Sequence, residues 1–212
     1  MKDALVTMLE LQDEMNKKVH PDWRSQGNAW YRAIWVECAE LLDHYGWKWW
    51  KAQSPDRDQV ELELIDIWHF GMSIALEMHN TMPSDYASLA ENLASHFSDA
   101  VEIENGSEAF RSAIEKFAES TLVTRNFDVK GFATLMQYTE LSFDRLFRSY
   151  VAKNVLNIFR QDHGYKDGTY RKLWAGREDN EHLMAIVHGL DQSEITRDRI
   201  YRELSERYQA AS

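Results

Sequence analysis

One cysteine, three prolines and nine glycines are all that this 212-residue chain holds of the residues that cross-link or interrupt a backbone. A lone Cys38 cannot close an internal disulfide, so a disulfide-stapled scaffold is excluded and a reducing compartment is expected. Within a helical pattern Cys38 reads as a small core residue rather than a reactive thiol. Prolines only at 21, 55 and 83 leave long uninterrupted segments, most with an apolar period near 3.6. The fold expected is therefore an all-α helical bundle, not a sheet. No apolar run approaches the ~20 residues of a membrane helix. The opening MKDALVTMLELQDE acquires acids too early for a secretion signal, so a cytoplasmic protein without a membrane partner is expected. Basic residues are scarce too: 24 Lys and Arg face 35 Asp and Glu, a formal charge of -11. That balance argues against direct nucleic-acid binding, which needs basic surface to displace counterions. The length suits one domain over 1–212.

Among what is present, residues 3–19 read as a first helix with Leu5, Met8, Leu9, Met15 and Val19 on one face. Gln12 sits in the middle of that face and Asn16 lies one turn on. One amide in an apolar stripe is ordinarily a satisfied backbone partner; two, four residues apart, suggest a ligand-facing surface. A loop over 21–28 precedes a second helix, 30–45, ended by Gly46 as C-cap. Its apolar face is Trp30, Ile34, Cys38, Leu41, Leu42 and Tyr45, with Glu37 and Glu40 on the flank and no basic residue at i±3 or i±4. A third helix, expected from Pro55 to about His79, is apolar nearly all round, which marks an interior helix. Glu63 and Asp66 on it therefore point into protein. Residues 83–150 read as ordinary amphipathic helices with breaks near Asn105-Gly106 and near Gly131. A helix ending near Phe159 then gives way to a glycine-containing loop (Gly164, Gly168, Gly176), and the remainder reads as one terminal amphipathic helix.

The chemistry concentrates in the pattern E37-x-x-E40, 22 intervening residues, then E63-x-x-D66. On paired helices it converges four acids on one small volume, which costs several kcal/mol per desolvated ion unless cations balance it. Carboxylate oxygens with few imidazoles favour Mg²⁺, with Mn²⁺ the alternative. Mg²⁺ held in this way usually shares its shell with substrate phosphates. The most basic part of the acidic chain, with Lys153, Arg160, Lys166, Arg171, Lys172 and Arg177, supplies groups that can wrap phosphate oxygens. Trp47, Trp49 and Trp50 read as core residues, or one of them as a wall against a base.

The order LQDEMN, WVECAELLDHYGWKWWK, VELELIDIWHF and AKNVLNIFRQDHGYKDGTYRKLWAGREDN resembles the dimeric all-α dUTPases, relatives of the MazG-type and dCTP pyrophosphatases. The match takes in the first ~80 residues and about 150–185. The resemblance implies the all-α NTP pyrophosphatase fold, hydrolysis of dUTP and dUDP to dUMP, and a homodimer. It places Glu37, Glu40, Glu63 and Asp66 on the metal ligands, with Glu37 as the candidate for activating water. It places Gln12, Asn16, Trp49 and Asn157 on the deoxyuridine, and Lys153, Arg160, Tyr165, Lys166 and Lys172 in the segment that closes over phosphates. On this reading Mg²⁺ neutralises the acids and the tryptophans wall the site from water.

Three other readings compete. A dCTP or broader dNTP pyrophosphatase would share the four acids. A carboxylate-bridged di-iron bundle is suggested by His44 and by Asp66-Ile-Trp-His69, but the two E-x-x-H repeats of that fold are missing. A repressor-binding role, as in some phage members, would accompany or replace catalysis.

Overall fold

The computed structural model describes residues 1–78, 82–97, 102–191 and 194–211. Helices dominate them: α1 (Lys2–Val19), α2 (Trp30–Tyr45), α3 (Arg57–Met78), α4 (Tyr86–Ser95), α5 (Ser107–Thr124), α6 (Val129–Tyr138), α7 (Phe143–Asp162), α8 (Asp179–Gly189) and α9 (Arg197–Ala210). Leu173–Trp174 (β1) and Arg177–Glu178 (β2) pair antiparallel, with Leu173 opposite Glu178 and Trp174 opposite Arg177. The all-α expectation holds, with this short hairpin as its one addition among the described residues.

Local chemistry fixes several boundaries. Gly46 takes φ +94, which an L side chain rarely adopts, and its N–H closes α2 on the Leu42 carbonyl. Helix α3 starts at Arg57, two residues after Pro55, and the expected end at His79 lies outside the described residues. The break expected near Gly131 lies just before it, between α5 and α6. Arg125 turns the chain in the left-handed region, and Asp128 caps α6 by accepting from the Gly131 N–H at 2.9 Å. A Cβ at Gly131 would meet the Asp128 carboxylate at 2.7 Å, so this glycine permits the cap instead of ending a helix. Helix α7 runs three residues past Phe159, to Asp162. The single terminal helix is in fact two, α8 and α9, and α8 opens with a capping box between Glu178 and Glu181.

Helix α3 is the interior element, as its unbroken apolar run requires. Trp68 at its centre is fully buried, stacked on Phe132 and edge-on to Phe97 and Phe127. Each such side chain contributes about 1.5–3 kcal/mol by leaving water. The main core gathers α1–α6 and the first half of α7 around it. A second cluster forms where the later half of α7 meets the hairpin, α8 and α9, around Phe159, Trp174, Leu183 and Ile200. Leu62 and the stretch of α7 after Tyr150 join the two, and a cleft opens beside that seam, between α1, α3 and α7.

Candidate active site

The cleft has a volume of about 350 Å³. Glu37 and Asp66 lie in its wall with Gln12, Asn16, His69 and Asn157, and Trp30 and Phe70 supply apolar ring surface. Helix α2 packs along α3, so Glu37 on the flank of one faces Glu63 and Asp66 on the other. One oxygen from each of these three carboxylates lies within 4.8 Å of the others. Glu40, one turn along α2, is exposed and stands outside this group of three. Its charge nevertheless acts on Glu37.

Burial raises the Glu37 pKa, and the neighbouring Asp66 and Glu40 charges raise it further. Burial likewise raises that of Glu63, helped by Asp66 and by the hydrogen bond it shares with Glu37. A bridging proton between Glu37 and Glu63 thus relieves part of the crowding. Lys153 relieves more: its buried ammonium lies 2.7 Å from Asp66 Oδ2 and 3.0 Å from Asn180 Oδ1. The basic partner that α2 and α3 lack locally therefore arrives from α7. Three convergent carboxylates, two of them pushed toward their protonated forms by burial and then by neighbouring charge, form a donor set that fits a hard divalent cation.

Gln12 and Asn16 are locked into one network. Ser73 Oγ donates to the His69 backbone carbonyl at 3.1 Å. With its proton committed, it accepts from Gln12 Nε2 and Asn16 Nδ2, both at 3.0 Å. Gln12 Nε2 also donates to Asn16 Oδ1. The Gln12 Oε1 end faces His69 Nδ1 at 2.8 Å and the Tyr150 hydroxyl at 2.9 Å. Gln12 is thereby fully occupied within the protein, whereas Asn16 keeps one N–H and one lone pair.

Of the residues expected at the phosphates, Arg160 and Tyr165 line the cleft. Arg160 is gripped by the buried Asp179, Nε to Oδ2 and Nη2 to Oδ1, each 2.8 Å, and also donates to Asn157 Oδ1. Burial alone would raise the Asp179 pKa, but the Arg160 hydrogen bonds and charge, with the Tyr170 hydroxyl, hold it below the ordinary range.

Several expected residues stand elsewhere. Lys153 sits behind Asp66 and does not line the cleft. Lys166 donates to the Val19 carbonyl and Lys172 pairs with Glu178. Trp49 is 89% exposed and lines a separate groove with Lys48, Lys51 and Arg111. Trp47, Trp49 and Trp50 pack edge-to-face on one another in the loop that Gly46 turns outward, so they are neither core nor a wall of this cleft. Trp23 and Trp30 take the walling role instead. Asp13 is buried on another face of α1, where it accepts from Trp23 Nε1 and pairs with Arg24 to fasten the loop over 21–28. Sequence reasoning passed over Phe70, Asp179 and Asn180, and credited His69 only to an iron site. A histidine inside an otherwise apolar helix is the one of these that carried a readable signal.

A protein-family model described as dUTPase matches residues 4–165. No curated protein matches the chain.

Proposed function

This chain belongs to the dUTPase family and is a dUTP diphosphatase; from that premise we propose that the cleft between α1, α3 and α7 hydrolyses dUTP, and dUDP with it, to dUMP using Mg²⁺. The observation that carries the reading is the meeting of Glu37, Glu63 and Asp66 beside a cleft that Glu37 and Asp66 line together with Gln12, Asn16, Trp30 and Phe70. A polyphosphate needs the cation that such acids hold, and a pyrimidine nucleoside fits the amides and rings. Glu37, Glu63 and Asp66 would hold the ion, with Glu40 exposed one turn along α2. Bound there, Mg²⁺ would neutralise the acids and draw charge from the phosphoryl oxygens. Glu37 orients the attacking water and accepts its proton. Arg160 holds phosphate oxygens at the rim with Tyr165, and Lys153 sets the charge of Asp66 from behind.

The base lies against Phe70 and Trp30, with Asn16 and Asn157 reaching its polar edge and Gln12 holding Asn16 in orientation. Trp49 would join only if its loop folded inward. A homodimer is supported by apolar side chains exposed on adjacent helices, Trp35 and Val36 of α2 with Leu122 and Val123 of α5. The whole chain then acts as one catalytic domain in the cytoplasm, and a repressor partner has no support beyond family resemblance.

The test is phosphate and pyrophosphate release from dUTP, dUDP, dCTP and TTP, with and without EDTA. Mg²⁺-dependent turnover of dUTP and dUDP is expected. Preference for dCTP, or turnover indifferent to EDTA, would overturn the reading.

A further inference from the structure

The network around Gln12 leaves one buried atom without a partner on a residue that lines the cleft. His69 is 4% exposed and lines the cleft, yet its Nε2 has no hydrogen-bond partner among the described residues. Buried polar atoms are rarely left so, because each costs about 1–3 kcal/mol. The protonation of the ring follows from its neighbours. Ser73 gives its single hydroxyl proton to the His69 carbonyl, so both amides must turn N–H groups toward it, and Gln12 must turn its oxygen toward His69. An amide oxygen only accepts, so His69 Nδ1 carries the ring proton. Burial depresses the His69 pKa to about 3, which keeps the ring neutral and makes Nε2 a bare lone pair. Tilted packing against Tyr150, with ring centroids 4.2 Å apart, hinders the imidazole from swinging to another partner.

We propose that His69 is a specificity-determining residue whose Nε2 accepts a hydrogen bond from the imide N3–H of the uracil ring. The inference rests on the pyrimidine-nucleotide reading of the cleft. It supplies a cause for base choice that the acids, shared with other nucleotide pyrophosphatases, do not. Asn16 has one uncommitted N–H, and with the His69 lone pair it offers a donor and an acceptor in fixed order. Uracil answers with a carbonyl oxygen and N3–H. Cytosine has a bare lone pair at N3, which would face that of Nε2. Because the Gln12, Asn16 and Ser73 network is anchored on a backbone carbonyl, the site cannot flip its amides to suit cytosine.

Two substitutions separate this role from structural support. The Asn side-chain nitrogen in His69→Asn can replace Nδ1 and keep the bond to Gln12, while Nε2 is lost. The terminal carbonyl of His69→Gln can reach the Nε2 position and restore an acceptor. The variants are assayed as full-length protein on dUTP, N3-methyl-dUTP, dCTP and 2′,3′-dideoxy-UTP. Expected for His69→Asn is a loss of about 10- to 100-fold in kcat/KM on dUTP, from the usual worth of one buried hydrogen bond. N3-methyl-dUTP should be turned over by this variant at the wild-type's own low rate, the preference for dUTP over dCTP should narrow, and His69→Gln should recover part of the dUTP rate. An equal loss on N3-methyl-dUTP would overturn the proposal. So would insensitivity confined to 2′,3′-dideoxy-UTP, since the acceptor would then serve the sugar hydroxyl. Titration of the ¹⁵N-labelled protein with deoxyuridine gives an answer that needs no turnover: His69 Nε2 should move from a free to a hydrogen-bonded lone-pair shift. If wild-type enzyme ignores dUTP altogether, the proposed function fails; if it turns over dUTP while Nε2 stays unmoved, only the role of His69 fails.

Discussion

Replacing Asp179 by alanine leaves the guanidinium of Arg160 buried without its counter-ion. The Asp179 side chain is 0% exposed and that of Arg160 12%, so water cannot take over either role. Removing one partner of a buried, doubly hydrogen-bonded pair typically costs about 3–5 kcal/mol, most of it the penalty on the charge left behind. Tyr170 loses the acceptor of its hydroxyl in the same step. For a chain of this length each kcal/mol moves the melting temperature by about 2–4 °C, so Asp179→Ala should melt about 6–20 °C lower. Differential scanning calorimetry in EDTA measures this directly. Two controls isolate the cause. Asp179→Asn, which keeps an acceptor, should lose less, and Arg160→Met added to Asp179→Ala should recover part of the loss, because no charge is then stranded. Pyrophosphate should also raise the melting temperature of Asp179→Ala more than that of the wild type, since it brings an anion to Arg160. A fall under about 2 °C, or a double variant no better than the single, would refute the view that this pair clamps α8 to α7 beside the cleft.

Three further outcomes are expected. Glu63→Gln imitates the protonated acid, so the metal-free protein should hold or gain stability at pH 8 while the thermal shift produced by Mg²⁺ disappears, as scanning fluorimetry would register. Glu37 and Glu63 have folded-state pKa values raised above the unfolded ones. Their contribution to stability is therefore complete below the ordinary carboxylate range and is lost as pH rises through the raised values; Mg²⁺ affinity by titration calorimetry should accordingly strengthen with pH, by about tenfold per unit for each proton released. Gly71→Ala would drive a Cβ to 2.7 Å from the Phe127 ring, which Trp68, Phe117 and Phe132 hold in place. A loss of about 1–3 kcal/mol in urea unfolding is expected, and an unchanged midpoint would show that the ring yields.

Periodicity and composition determined the helices and the burial of α3, because an apolar run with a 3.6 period has one way to leave water. The spacing of Glu63 and Asp66, with Glu37 on the packed flank of α2, made a meeting of acids legible, since i and i+3 share a helix face, whereas the packing left Glu40 exposed outside it. What lay beyond a single helix was decided only by packing. That Lys153 backs Asp66 depends on the path of α7 past α3, and that Arg160 belongs to Asp179 depends on a hairpin that returns α8 to α7; neither contact spacing leaves a local trace. The tryptophans of GWKWW read as core from composition alone, but the turn at Gly46 sends them outward. His69 shows the same division: its place in an apolar helix was legible, whereas its tautomer and its bare Nε2 exist only because Ser73, Gln12 and Asn16, from two different helices, close one hydrogen-bond network around it.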